Sequence, residues 1–171
     1  MSGSLLDAFA ITLRIDTLLK PGARAPQFSL HTSDGSLLRS TDYIGKKPVV
    51  IFFYPKDDTL GCTIESCAFR DSYEDFVAAG ADVIGISADP VTSHRRFQEK
   101  YSLPFILASD VDRVTARAYG VAEGPLGLAG RATFVIDRGG MVRDAFSSRL
   151  RVKRHVSRAL DLVRGLAREC E

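Results

Sequence analysis

Val49-Val50-Ile51-Phe52-Phe53-Tyr54-Pro55-Lys56-Asp57-Asp58-Thr59-Leu60-Gly61-Cys62-Thr63-Ile64-Glu65-Ser66-Cys67 is the stretch on which the reading of the chain turns. It opens with β-branched and aromatic residues and no polar alternation, the pattern of a strand buried on both faces. A polar turn containing proline follows. From Cys62 to about residue 79, Phe69, Tyr73, Phe76 and Val77 recur at helical spacing, with Gly80 as the stop. A cysteine therefore stands where a buried strand gives way to a helix. The first N–H groups of a helix lack intrahelical partners and favour negative charge, and the thiolate is the nucleophilic form of cysteine. Gly61 permits a tight turn, and Asp57, Asp58 and Thr59 make the approach polar, which predicts solvent access to Cys62.

Outward from this stretch the chain alternates. Residues 27–30 and 37–39 read as short strands joined by a turn signalled by Asp34-Gly35. Residues 41–45 form a helical turn. Residues 81–87 are a strand and 91–101 a helix, with Asp89 as its N-cap and Pro90 at its first position. A strand over 104–108 and a helix over 111–119 come next, then a glycine-rich loop over 123–130. Residues 131–137 and 141–146 pair around Arg138-Gly139-Gly140, and a last helix covers 150–168. This order predicts an α/β fold, a central mixed sheet with helices on both faces. It gives one domain over residues 19–171 behind an extension, residues 1–18.

Composition narrows the function. The chain has 171 residues, enough for one hydrophobic core, and a net charge of +2, too small for a nucleic-acid or membrane field. Arg149, Arg151, Lys153, Arg154 and Arg158 gather near the end and read as a solvated helix face. Three cysteines, Cys62, Cys67 and Cys170, do not make a secreted disulfide scaffold. No run approaches the ~20 apolar residues of a membrane span. The apolar segment 5–19 is interrupted by Asp7, Arg14 and Asp16 and lacks the marks of a signal peptide. A cytoplasmic location is expected. His31, His94 and His155 show no ligand spacing, so neither metal nor cofactor is expected.

The two cysteines of the central stretch constrain each other. Five residues along a helix separate two Cα atoms by about 8–9 Å, and a disulfide needs less than ~7 Å. Either Cys62 and Cys67 never bond, or the first turns of the helix unwind when they do. The spacing disfavours a Cys-x-x-Cys disulfide reductase and structural zinc.

Residues 52–63, with Cys67-Ala68-Phe69-Arg70-Asp71 after them, resemble the active-site segment of the peroxiredoxins, most closely the peroxiredoxin Q, or bacterioferritin comigratory protein, branch. The family pattern Pro-x-x-x-Thr-x-x-Cys is met by Pro55, Thr59 and Cys62. The family's distant arginine, ahead of a Thr-Phe-Val-Ile-Asp strand, matches Arg131. Gly85-Ile86-Ser87-Ala88-Asp89 and Ala25-Pro26-Gln27-Phe28 are similar too, and the likeness spans residues 19–162. It implies a thioredoxin-like fold, Cys62 as the peroxidatic cysteine and Cys67 as the resolving cysteine of an intramolecular two-cysteine peroxidase. Hydrogen peroxide and organic hydroperoxides are then the substrates and a thioredoxin-like dithiol the reductant. A monomer, or at most a weak dimer, is expected.

The chemistry fits. A free thiol of pKa ~8.5 is about 3% ionised at pH 7, so deprotonation gains at most ~30-fold. Enzymes commonly reach ~10⁶-fold or more. The larger contribution must come from donors fixed around the peroxide oxygens: the Thr59 hydroxyl, backbone N–H groups near Cys62, and the Arg131 guanidinium. Pro55 shapes and dries the pocket. Glu65 either orients Arg131 or complements the helix dipole, and Cys170 reads as a bystander. The rival readings are a disulfide oxidoreductase and a peroxide sensor or holdase without efficient turnover.

Overall fold

The computed structural model describes residues 18–121 and 130–169. All of the extension but its last residue, most of the glycine-rich loop and Cys170 lie outside the described residues. Along the chain the elements are β1 (Ser29–Thr32), β2 (Leu37–Arg39), a 3₁₀ turn (Ser40–Asp42), β3 (Val49–Phe53), α1 (Leu60–Asp71), α2 (Tyr73–Ala78) and β4 (Asp82–Ser87). There follow α3 (Val91–Tyr101), β5 (Ile106–Ser109), α4 (Val114–Ala118), β6 (Ala132–Ile136), β7 (Val142–Ser147) and α5 (Val152–Glu169). The strands form one sheet in the order β2-β1-β5-β4-β3-β6-β7. β3, β4 and β5 run parallel; β6 joins β3, β7 joins β6 and β1 joins β5 antiparallel. The sheet is mixed, as the hairpins predict.

Every residue of β3 is buried, and its side chains alternate between two cores. Val50, Phe52 and Tyr54 face one core with Phe69 of α1, Phe76 of α2, Phe97 of α3 and Val156, Leu160 and Val163 of α5. Val49, Ile51 and Phe53 face the other, closed by Tyr119, Ala116 of α4, Leu38 and Ala25. Helices thus lie on both faces, but unevenly: the second core is roofed by one short helix and irregular chain. None of the helices among the described residues is long and apolar enough to cross a membrane.

Several elements differ from the sequence reading. The expected helix over 62–79 starts earlier, at Leu60, and divides at Ser72 into α1 and α2. Serine there bonds back to the carbonyl oxygens of Ala68 and Arg70 through its N–H while Tyr73 begins a new turn. Pro90, not Asp89, occupies the N-cap of α3. The Asp89 carboxylate is committed elsewhere, accepting from the Asp57 N–H at 2.9 Å and the Ser87 hydroxyl at 2.5 Å. The helix expected over 111–119 shrinks to α4, because the Asp110 carboxylate caps the N–H groups of Thr115 and Ala116.

Gly85 of β4 lets the core close. A Cβ at this position lies 2.6 Å from Phe52 Cζ and 2.8 Å from Leu107 Cδ2. Phe52 in turn stacks on Phe69 with centroids 4.4 Å apart, which fixes α1 against β3. Gly85→Ala should cost about 1–3 kcal/mol by overpacking, read as a lower urea midpoint; an unchanged midpoint contradicts this packing.

Candidate active site

The sheet register assembles the site. β6 pairs antiparallel with β3, and Phe53 stands opposite Ala132. The residue just before β6, Arg131, therefore lies beside the residues just after β3. The carboxyl end of β3 also delivers the chain into α1. Two segments far apart in sequence meet where open α/β sheets bind their ligands.

The loop between β3 and α1 is pinned from two sides by α3. On the inside, the buried Asp57 carboxylate accepts from Tyr54 Oη at 2.6 Å and Ser93 Oγ at 2.8 Å, and pairs with His94 Nδ1 at 2.8 Å. His94 Nε2 faces the carbonyl oxygen of Ala108 at 3.2 Å. Burial first, then the Asp57 charge, pushes the Tyr54 phenol well above its usual range. On the outside, Asp58 adopts a left-handed conformation, φ 60°, and its carboxylate accepts from Lys100 Nζ at 2.8 Å and Tyr101 Oη at 3.1 Å. The strained residue of the turn is Asp58, not Gly61. Oxygen and nitrogen atoms of Asp57, Asp89 and His94 all lie within 4.8 Å of one another. They are saturated by O–H and N–H donors and by each other, a donor-filled cluster that does not fit a cation.

Thr59 is the N-cap of α1 but makes no side-chain cap bond. Its hydroxyl donates to the carbonyl oxygen of Lys56 at 2.9 Å. Pro55 is half-buried at the loop entrance. Cys62 lies in the first turn of α1 and is 1% exposed, which corrects the expectation of solvent access: the polar side chains of Asp57, Asp58 and Thr59 bond to α3 and to the loop's own backbone, and the thiol is packed in the core. Cys67 is half-buried in the same unbroken helix, and both thiols are free.

Arg131 covers the sulfur. Its Nη2 donates to Cys62 Sγ at 3.3 Å, and its Nη1 donates to Glu65 Oε2. Glu65 sits three residues after Cys62, on the same side of α1, and is fully buried. Burial pushes the Glu65 carboxyl up to about 8, against the pull of Arg131. Burial also works against the Arg131 charge, but Glu65 and Cys62 outweigh it and its pKa is raised. Behind Glu65 stands His155 of α5, with Nδ1 3.7 Å from Glu65 Oε1 and 2.8 Å from Thr133 Oγ1. Burial pushes the His155 imidazole down to about 4, helped by the charges of Arg131 and Arg158. Gly61 serves this geometry: a Cβ there lies 3.0 Å from Arg131 Nη2, so a side chain displaces the guanidinium.

Of the residues marked in the sequence, Arg131 contacts both Cys62 and Glu65, while Pro55 and Thr59 lie in the loop leading into α1, where the Thr59 hydroxyl is committed to the Lys56 carbonyl oxygen. His94 and His155 carried no ligand spacing, so the sequence reading passed over both. A helical-wheel signal marks them as inward-facing: His94 shares a face with Phe97, and His155 with Val152, Val156 and Ala159.

A thioredoxin-like sheet with a first-turn cysteine held under an arginine at the strand ends defines a thiol-based redox enzyme. Residues 21–145 match the AhpC/TSA family. Peroxiredoxin Q of rice chloroplasts (Oryza sativa subsp. japonica) is 42% identical over 146 residues, 85% of this chain and 67% of the relative. The crystal structure of peroxidoxin BcpB from Mycobacterium tuberculosis superposes with a TM-score of 0.81 at 37% identity, covering 86% of this chain and 97% of that one. Peroxiredoxin Q of Xanthomonas campestris gives a TM-score of 0.76 at 32% identity, covering 89% and 98%. The chain belongs to the AhpC/TSA family, on its peroxiredoxin Q branch.

Two outcomes follow from the geometry. Gly61→Ala raises helix propensity, so stability should hold, while moving Arg131 off the sulfur should slow peroxide reduction about 10-fold to 100-fold. Equal rates in stopped-flow oxidation contradict the role given to the close approach. Linkage gives the second. Glu65 titrates near 8 in the fold against an ordinary 4.5, so its stabilisation is complete below pH 4.5 and is lost as pH rises through about 8. His155 acts oppositely, its contribution present above 6.5 and lost as pH falls through about 4. The two offset each other up to pH 6.5, so urea unfolding of Glu65→Gln should lack the fall from pH 6.5 to about 8 expected of the wild-type chain.

Proposed function

We propose that the chain is a thiol-dependent peroxidase in which Cys62 attacks peroxide and Cys67 resolves the product. The observation that carries this reading is the 3.3 Å contact from Arg131 Nη2 to Cys62 Sγ. A guanidinium there stabilises a thiolate and the charge that moves to the leaving oxygen as the O–O bond breaks. The helix N-terminus adds its partial positive charge. Sulfur gains a hydroxyl and becomes a sulfenic acid, and the peroxide leaves as water or an alcohol.

The next step has a cost built into α1. Cys62 and Cys67 share one continuous helix, in which the spacing keeps them about 8–9 Å apart at Cα. The Cys67 thiol attacks the sulfenic sulfur only after the first turns of α1 unwind; water departs and the disulfide forms. A thioredoxin-like dithiol then reduces it by exchange through a mixed disulfide. Hydrogen peroxide and organic hydroperoxides are the proposed substrates; one of the solved relatives, from Xanthomonas campestris, is described as reducing alkyl peroxides. Pro55 and Thr59 are proposed to shape the peroxide pocket. A monomer in a reducing, cytoplasmic setting completes the proposal.

The decisive comparison is peroxide consumption by wild type, Cys62→Ser and Cys67→Ser with a thioredoxin system. Cys62→Ser should be inert. Cys67→Ser should react once and stall as a sulfenic acid that a dimedone adduct reveals by mass. Activity surviving in Cys62→Ser refutes the assignment, and one stoichiometric oxidation without turnover in the wild type points to a sensor instead.

A further inference from the structure

If Cys62 attacks as a thiolate, as proposed above, the charges beneath it do not balance. Arg131 is the cation hydrogen-bonded to both Cys62 and Glu65. All three are nearly removed from solvent, at 1%, 0% and 6% exposure for Cys62, Glu65 and Arg131. Two anions on one cation leave a net buried charge, an arrangement of high cost. A single proton shared between sulfur and carboxyl removes it, and such a pair titrates as a unit.

The surroundings of Glu65 say where that proton sits. Its Oε2 takes the Arg131 donor, while Oε1 has no hydrogen-bond partner among the described residues. Oε1 faces His155 Nδ1 at 3.7 Å. The other ring nitrogen, Nε2, lies 2.9 Å from the carbonyl oxygen of Ser148 and so carries the N–H. In a neutral ring this leaves a lone pair on Nδ1, which the Thr133 hydroxyl also reaches at 2.8 Å. An ionised Oε1 there is a buried anion facing a lone pair with no donor in reach among the described residues; a neutral carboxyl avoids that cost. The groups that bear on Glu65 are Cys62 from its own helix, Arg131 and Thr133 from the β6 segment, and His155 from α5, with Arg158 acting on His155. The raised Glu65 carboxyl and the lowered His155 imidazole agree with that placement.

We propose that Glu65 is the proton reservoir of the peroxide-reducing step: it holds a proton on Oε1 while Cys62 carries the negative charge, and releases it when the sulfur is oxidised. The balance closes. The sulfur lone pair forms the S–O bond as the O–O bond breaks, so sulfur loses two electrons and the peroxide gains them. The departing oxygen takes the Glu65 proton, leaving Cys62 sulfenic acid, an alcohol or water, and a Glu65 carboxylate paired with Arg131. When the dithiol reductant later restores Cys62 as a thiol, that proton passes to Glu65 and the reduced state returns. His155 is a positioning residue: its neutral ring, held by Thr133 and the Ser148 carbonyl oxygen, keeps Oε1 in an uncharged setting that favours the proton.

The test is an infrared difference spectrum of the whole chain at pH 7, reduced against oxidised with stoichiometric hydrogen peroxide, with ultraviolet absorbance reporting the thiolate. The expected wild-type spectrum shows thiolate absorbance before oxidation, and one protonated-carboxyl band lost with one carboxylate gained per Cys62 oxidised. Glu65→Gln should show neither carboxyl change, keep the thiolate absorbance and oxidise about 10²-fold more slowly, the low end of general-acid contributions. His155→Asn should shift the carboxyl band without abolishing it, a readout that survives if the glutamine variant does not fold. Oxidation of Cys62 with no carboxyl change in the wild type, no thiolate absorbance at pH 7, or an unmoved band in His155→Asn overturns the proposal while leaving the peroxidase reading intact. Failure of Cys62 to oxidise strikes the peroxidase reading itself.

Discussion

One guanidinium shared between a thiol and a carboxyl is the contact to which the rest of the molecule is fitted. Arg131 reaches Cys62 and Glu65 from a strand 69 residues away from the cysteine in sequence. It keeps that position because its own carbonyl oxygen accepts from the Ser147 hydroxyl at 2.8 Å, tying it to β7. Gly61 has no side chain to intrude, and α5 closes the cluster from behind with His155. A charge so deeply placed is tolerable only with partners on hand. The helix turn, the strand register and the glycine are therefore one constraint seen from three elements.

The sheet supplies the rigidity this contact needs. β3 has a strand on each side, β4 parallel and β6 antiparallel, and both its faces are covered. An arginine set beside the end of such a strand inherits its rigidity, and preorganised donors act without reorganisation at the moment of reaction. The aromatic column Phe69–Phe52–Tyr54 carries the same rigidity into α1, with centroids 4.4 Å and 5.6 Å apart.

Much of this was legible in the sequence, for identifiable reasons. β3 declared itself by an unbroken apolar run, since burial on both faces erases alternation. The motif residues Pro55, Thr59, Cys62 and Arg131 were marked by resemblance, and the structure places them at the same end of the sheet. What was not legible depends on tertiary partners. Asp89 looked like a helix cap, yet the Asp57 N–H and the Ser87 hydroxyl claim its carboxylate. Gly61 looked like a turn residue, but the space it leaves belongs to Arg131. His94 and His155 differ from ordinary core residues only by the acids that the fold brings to them.

The pinning of the loop before α1 has a mechanical meaning. Asp57 and Asp58 are tied to α3 on one side. Beyond Cys67, Phe69 is stacked into the core and Arg70 donates to the Tyr101 carbonyl oxygen at 2.8 Å. The chain between these two anchor points, residues 59–68, is a short span clamped at both ends to a common support, the end of α3. The span also carries Cys62 and Glu65, whose contacts with Arg131 and His155 tie it to the β6 segment and α5, so loosening it loosens that cluster too. In the proposed cycle the span's length sets how far the two sulfurs can travel, and its clamps set where they return.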